Sequence, residues 1–156
     1  MAFNPLIILH IALGEIVALS ALWIIVELFE KPTESRLQRA LAASLILLAF
    51  SWVAYFIGGL YYVADYGPVK AVIKQGPWDW AHKIFMEVKE HIFLAGPFIA
   101  IAISSLLYAF KDSLVASEGL RRNVIISLGL IFLGVALVLG FGVIVSTGYR
   151  VALAGG

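Results

Sequence analysis

Residues 78–110 read WDWAHKIFMEVKEHIFLAGPFIAIAISSLLYAF, an ionisable threshold followed at once by an apolar run. The run from Ile92 to Phe110 is long enough to cross the roughly 30 Å hydrocarbon core of a bilayer, which takes about 20 helical residues. Its threshold holds two of the three histidines, His82 and His91, and three of the ten acidic residues, Asp79, Glu87 and Glu90. Lys83 and Lys89 lie among them. Ionisable groups beside hydrocarbon are costly, and a segment that only had to enter a membrane would not gather so many. The stretch therefore points to a transmembrane helix with a functional site at its mouth.

The rest of the chain has the same character. It is 62% hydrophobic and 13% charged, with a mean hydropathy of +1.00, far from a soluble domain. Its length, 156 residues, suits a single transmembrane domain, 1–156. Spans are expected at about 5–28, 41–63, 80–110 and 124–145. The connections EKPTESRLQR (30–39) and KDSLVASEGLRR (111–122) read as short charged turns, with Pro32 ending one helix and Thr33 capping the next. The loop at about 64–79 is different. Gly67-Pro68 and Gly76-Pro77 bracket VKAVIKQ, which suits the membrane surface, while Tyr61, Tyr62, Tyr66, Trp78 and Trp80 suit an interfacial belt. The expected fold is all-α, an integral membrane four-helix up-down-up-down bundle.

Composition also excludes. The chain has no cysteine, which removes disulfides, thiolate-ligated metals, Fe–S clusters and thioether-attached haem. A net charge of +1 gives no footprint for nucleic acid. The opening MAFNPLIILHIALGE lacks a basic leader and a small-residue cleavage site, so it reads as a retained first helix. Lys31, Arg36, Arg39, Lys111, Arg121 and Arg122 fall in or beside the short connections. By the positive-inside rule this places both termini and the 64–79 loop outside a cell membrane.

In such a bundle the first and third helices run in the same direction, so His10 and His91 lie at matching depth near the outer boundary. His10, Gly14, Val17 and Ala21 share one stripe of the first helix. Glu87 and His91, four apart, share a face with Leu94 and Phe98, and Glu87 is placed to orient the His91 ring or join it. His82 falls on the opposite face with Met86 and reads as interfacial. Pro97 is expected to kink the helix and free the carbonyl of Phe93.

Three readings follow from the polar residues. In the first, His10 and His91 are axial ligands of one haem b, with Gly14 leaving room for the macrocycle and Lys83 and Lys89 near its propionates. The protein would then be a membrane electron-transfer protein, or the electron-transfer subunit of an oxidoreductase, exchanging electrons with a quinone or a redox protein. In the second, His10, His91, Glu87 and Glu15 hold an iron, zinc, manganese or copper ion. The di-iron ExxH spacing is absent, since Glu87 and His91 are ExxxH. In the third, Glu15, Glu87, Glu90 and the histidines, His91 among them, carry protons or ions without a fixed cofactor. Against these stands a structural reading. Glu87, Glu90, Lys83, Lys89 and His82 would form interfacial ion pairs, His10 and His91 would only hydrogen-bond across the bundle, and Glu15 would be a protonated buried acid. A separate alternative makes the chain a structural accessory subunit of a membrane complex. Glu27 and Glu30 read as solvated or paired with Lys31. No residue is assigned a catalytic role, and a homo-oligomer or a larger membrane complex is expected.

The opening LIILHIALGEIVALSALW, with its early histidine, resembles the small membrane proteins of the CopD type and the protoporphyrinogen oxidases of the HemJ type. The resemblance implies a helical bundle that binds haem b through His10 and a later histidine, here His91. It covers little more than the first helix. The chain has Leu13-Gly14-Glu15 where those families commonly have Trp-x-Gly after the histidine.

Overall fold

The computed structural model describes residues 4–155, and these are helical almost throughout. In chain order the helices are α1 (Pro5–Leu28), α2 (Glu34–Ala64), α3 (Tyr66–Gln75), a π-helical turn (Ala81–Met86) running straight into α4 (Glu87–Ala109), α5 (Lys111–Ala116) and α6 (Glu118–Ala154). Four are long and apolar enough to cross a membrane: Pro5–Leu28, Glu34–Ala64, Ala81–Ala109 and Glu118–Ala154. The protein is thus an all-α, multi-pass membrane protein.

Three of the four long helices have a legible start. The Asn4 side chain accepts from the Leu6 N–H at 2.8 Å, with Pro5 in the first turn. Thr33 caps α2 through the Arg36 N–H, and Ser117 caps α6 through the Leu120 N–H. These caps lengthen two helices beyond the expected spans. α2 begins at Glu34 and not near 41, and α6 runs from Glu118 to Ala154 and not from 124 to 145. Hydropathy marks only the part within the lipid, whereas helix formers such as Glu, Leu and Arg carry the helix on into the interface. Both longer connections also hold short helices, α3 and α5.

α1 packs on α2 and α6, α2 also packs on α4, and α6 closes against the π turn and α4. Lipid tails are as apolar as leucine, so helices associate by close approach and polar contacts and not by a hydrophobic drive. α2 supplies the means: its buried residues include Ala40, Ala43, Ser44, Ser51 and Ala54. The Ser44 and Ser51 hydroxyls donate to carbonyls of their own helix, at 2.8 and 2.6 Å. Ser104 of α4 donates to the Ser44 carbonyl at 2.9 Å. Outward positions are apolar, as at Phe29, Val63 and Leu130, which suits a lipid boundary.

At the face carrying the α1–α2 connection, charge forms the clamp. Glu27 is only 7% exposed. It accepts from Arg39 Nε at 2.7 Å and Nη2 at 3.0 Å, and from Trp23 Nε1 at 3.0 Å. Arg36 reaches Glu30 at 3.1 Å and the Val26 carbonyl at 2.6 Å. Glu27 and Glu30 therefore pair with arginines and not with Lys31. Arginine's planar fork suits this bidentate arrangement, which a lysine could not reproduce. α4 continues through Pro97, which has no N–H to offer the Phe93 carbonyl, and a further irregularity lies earlier in this span, at the π turn.

Glu27→Gln loses both charge-assisted contacts to Arg39 and should lower the melting temperature in detergent by several degrees. Glu30→Gln, at an exposed partner, should leave it within error; equal losses would show that the clamp is not what joins α1 to α2.

Candidate functional site

The opposite face gathers the start of α1, the end of α2, α3, the π turn and the end of α6. Small residues let these elements close. A Cβ at Gly148 of α6 would stand 3.0 Å from the Cβ of Ala81, and one at Gly76 would run into Ala152. Aromatic rings seal the edge, with Trp78 and Trp80 at 5.0 Å, Trp80 and Phe85 at 5.7 Å, and Phe85 and Phe141 at 5.1 Å between centroids.

The π turn arranges the polar groups. The Glu87 N–H bonds the carbonyl of His82, five residues back. That i→i+5 step brings side chains five apart toward one another, whereas a straight α-helix turns them about 140° apart. His82 Nε2 accordingly lies 3.6 Å from Glu87 Oε1. The other ring nitrogen, Nδ1, shares a hydrogen bond with the Tyr66 hydroxyl at 3.0 Å. His82 is 2% exposed and Tyr66 3%. The Tyr66 ring stacks on Tyr62 at 5.3 Å. Burial first, and then the Glu90 carboxylate, push the Tyr66 phenol well above its ordinary value, so it stays protonated at neutral pH. Glu90 also acts on Tyr62. One of its carboxylate oxygens is buried with no hydrogen-bond partner among the described residues. Buried polar atoms in that condition are uncommon and each calls for a reason.

His10 stands one layer deeper. Its Nδ1 lies 3.0 Å from the Ala54 carbonyl of α2. A carbonyl can only accept, so Nδ1 carries the proton and Nε2 is left bare. Phe93 meets the ring edge-on at 5.2 Å. Gly58 makes the contact possible, since a Cβ there would fall 2.7 Å from His10 Cε1 and 3.1 Å from Phe93 Cζ. Lys89 projects toward α6, its Nζ 3.3 Å from where a Cβ on Gly142 would sit, and is near enough to act on His10. No carboxylate pairs with Lys89 among the described residues.

The residues singled out in the sequence divide by face. His10 and Lys89 point inward. His91 is exposed, its Nδ1 bonded at 2.6 Å to the Glu87 carbonyl one turn back. Phe93, two residues on and so about 200° round the helix, is the α4 side chain that meets His10. His10 and His91 thus share a depth but are not brought together. The Glu87 carboxylate turns to His82 and not to His91. Glu15 is exposed. Gly14 faces α6, where an added Cβ would meet Leu139 at an ordinary 3.6 Å. Lys83 is exposed and pairs with Asp79, whose carboxyl it holds below the usual range. His10, His91, Glu87 and Glu15 form no cluster, and no group of three or more histidine, cysteine, aspartate or glutamate residues placed to hold a metal ion exists among the described residues. His82, taken from the sequence as interfacial, is instead buried, with Tyr66 and Glu87 beside it.

Gly58→Ala should cost about 1–3 kcal/mol through overpacking and displace the His10 ring from the Ala54 carbonyl. Histidine ring NMR would show the loss of the His10 Nδ1–H hydrogen bond. Gly129→Ala, with open space around it, should change neither; an unaltered His10 signal in Gly58→Ala would contradict the packing described.

Comparison with known proteins adds nothing to this geometry: no family model matches the chain, and neither a curated protein nor a solved structure matches it.

Proposed function

We propose that this membrane protein handles protons at one membrane face, through a relay of Glu87, His82 and Tyr66 leading to Glu90. The observation that carries the proposal is the buried His82, held between a carboxylate and a phenol on a π-helical turn. The four long helices cross the bilayer in up-down-up-down order, with both termini and the 64–79 connection on the outer side. Glu87, half-exposed, meets the aqueous phase there.

The steps follow from the groups. A proton taken up by Glu87 passes to His82 Nε2. The ring then gives its Nδ1 proton to the Tyr66 oxygen while the phenol releases its own proton toward Glu90. The phenol gains and loses together, which is the course open to a tyrosine too weakly acidic to ionise. Glu90 is the natural end point, because its buried oxygen lacks a partner. Beyond His10 the core is built from Ile24, Leu28, Leu41, Leu47, Leu107 and Leu128, and its buried serines are bonded to backbone carbonyls. A relay that stops halfway serves a proton-coupled step at its own face. A quinone or a redox protein is the partner class this suits, since quinone reduction and oxidation take up and release protons.

Hydrogen–deuterium exchange of the Glu90 carboxyl, followed by infrared in lipid and assigned with Glu90→Gln, tests the relay. Exchange should slow about a hundredfold in His82→Phe and stay unchanged in His91→Phe. Equal rates in wild type and His82→Phe would rule the relay out.

A second reading, electron transfer through haem b, draws support from His10. Its Nδ1–H bond to a backbone carbonyl leaves Nε2 free, as in histidines that ligate metals. His91 presents the same tautomer but from the far side of α4, and Phe93 occupies the side toward His10. The pair therefore does not fit bis-histidine ligation. A reduced-minus-oxidised visible spectrum of protein expressed with ample haem decides it. The relay reading expects a colourless protein; a b-type spectrum lost in His10→Ala and kept in His82→Ala would favour the haem.

A further inference from the structure

The exposed face of α1 carries an ordered pattern. Ile8, Ala12, Glu15, Leu19, Leu22, Val26 and Phe29 are all exposed and follow at alternating spacings of four and three residues. At about 100° per residue they form one stripe about 100° wide, on the side of the helix away from the buried Leu13, Ser20, Ala21, Ile24, Glu27 and Leu28. Alternating spacings of three and four are the seam of a left-handed helix pair. All of the stripe is apolar or small except Glu15, ten residues into a helix of 24. At 1.5 Å per residue that is about 15 Å along, the middle of the hydrocarbon core. The other long helices have no Asp, Glu, Lys or Arg in residues 40–64, 91–110 and 123–149. A lone carboxyl in mid-membrane that faces away from its own bundle is unsatisfied there.

We propose that α1 pairs with α1 of a second copy of this chain, the two helices parallel about a twofold axis along the membrane normal and the two Glu15 carboxyls hydrogen-bonded to each other. The occupant follows from the group itself. A carboxyl donates and accepts, so its complement is another carboxyl. Copies inserted with one topology hold Glu15 at one depth, and a twofold axis brings equivalent residues face to face. A different subunit would need an independent polar group at the same level. One polar residue in an otherwise apolar seam also sets its register. The pairing does not depend on the proton relay, which lies inside the bundle.

The absence of cysteine allows a direct test in native membranes, with copper phenanthroline as oxidant. Leu19→Cys, Leu22→Cys and Val26→Cys on the stripe should give covalent dimers. Leu130→Cys, equally exposed on α6, should not. In lipid vesicles Glu15→Leu should raise the dimer dissociation constant about three- to thirtyfold, equivalent to ~0.6–2 kcal/mol, whereas Glu15→Gln, whose amide also donates and accepts, should hold it near wild type. Since Glu15 faces away from the core, the monomer should keep its helicity and melting temperature in both variants. Crosslinking as strong at Leu130→Cys, stripe cysteines that join a different protein, or unchanged dimerisation in Glu15→Leu would each overturn the proposal.

Discussion

The seam of small residues on α2 is the constraint on which the rest depends. In water a bundle can tolerate bulky contacts, because expulsion of solvent still favours contact. In lipid that drive is missing, and attraction comes from close approach of backbones and from polar groups that find each other. Ala40, Ala43, Ser44, Ser51 and Ala54 form this seam, and α1 and α4 pack against α2. The buried hydroxyls satisfy themselves on their own helix, so they add little bulk and leave no unpaired donor. The same thinness shapes the site. Gly58, one turn beyond Ala54, leaves room for the His10 ring, and the Ala54 carbonyl can accept a second hydrogen bond beyond that of its helix.

The two ends of the bundle use polar groups differently. At one end Glu27 is saturated by Arg39, Arg36 and Trp23, a rigid joint with nothing left over. At the other, α3 and the π turn are drawn over the bundle by Gly76, Gly148 and Ala152, burying groups that are not all satisfied. A Glu90 oxygen lacks a donor. A closed ionic network stabilises a joint, whereas a buried site with open valences costs stability and persists where chemistry needs it.

The spans were legible because hydropathy over about 20 residues needs no knowledge of helix phase. The Thr33 cap and the depth of His10 relative to His91 were legible for the same reason: they depend on position along the chain. What failed was azimuth. An ordinary helical wheel puts Glu87 with His91, and Leu94 and Phe98 look like the continuation of an inward face. Leu94 and Phe98 are in fact 52% and 63% exposed. In a membrane, outward residues are as apolar as buried ones, so hydrophobicity loses its directional meaning. Residue size keeps part of it: small Ala100 and Ser104 sit on the buried face of α4 with Pro97 and Leu107, and that pattern was available in the sequence. The π turn was not. One extra residue per turn rotates what precedes it by about 100°, and nothing in AHKIFM announces it.

Azimuth is also what gives each ionisable residue its meaning here. His10, His82, Lys89 and Glu90 are directed into the bundle, where a titratable group can meet another of the same chain. Glu15 and His91 are directed away from it, where a partner has to come from outside. Depth alone would place His10 with His91 and Glu15 just below them, one site from three residues. With the helical phase restored, the same residues separate into an internal chemistry and an external surface. A metal or haem reading draws its strength from convergence, and convergence is what the outward turn of Glu15 and His91 removes. The proposed relay starts from neighbours across a π turn and one phenol from α3: His82 lies 3.6 Å from Glu87 and hydrogen-bonds to Tyr66.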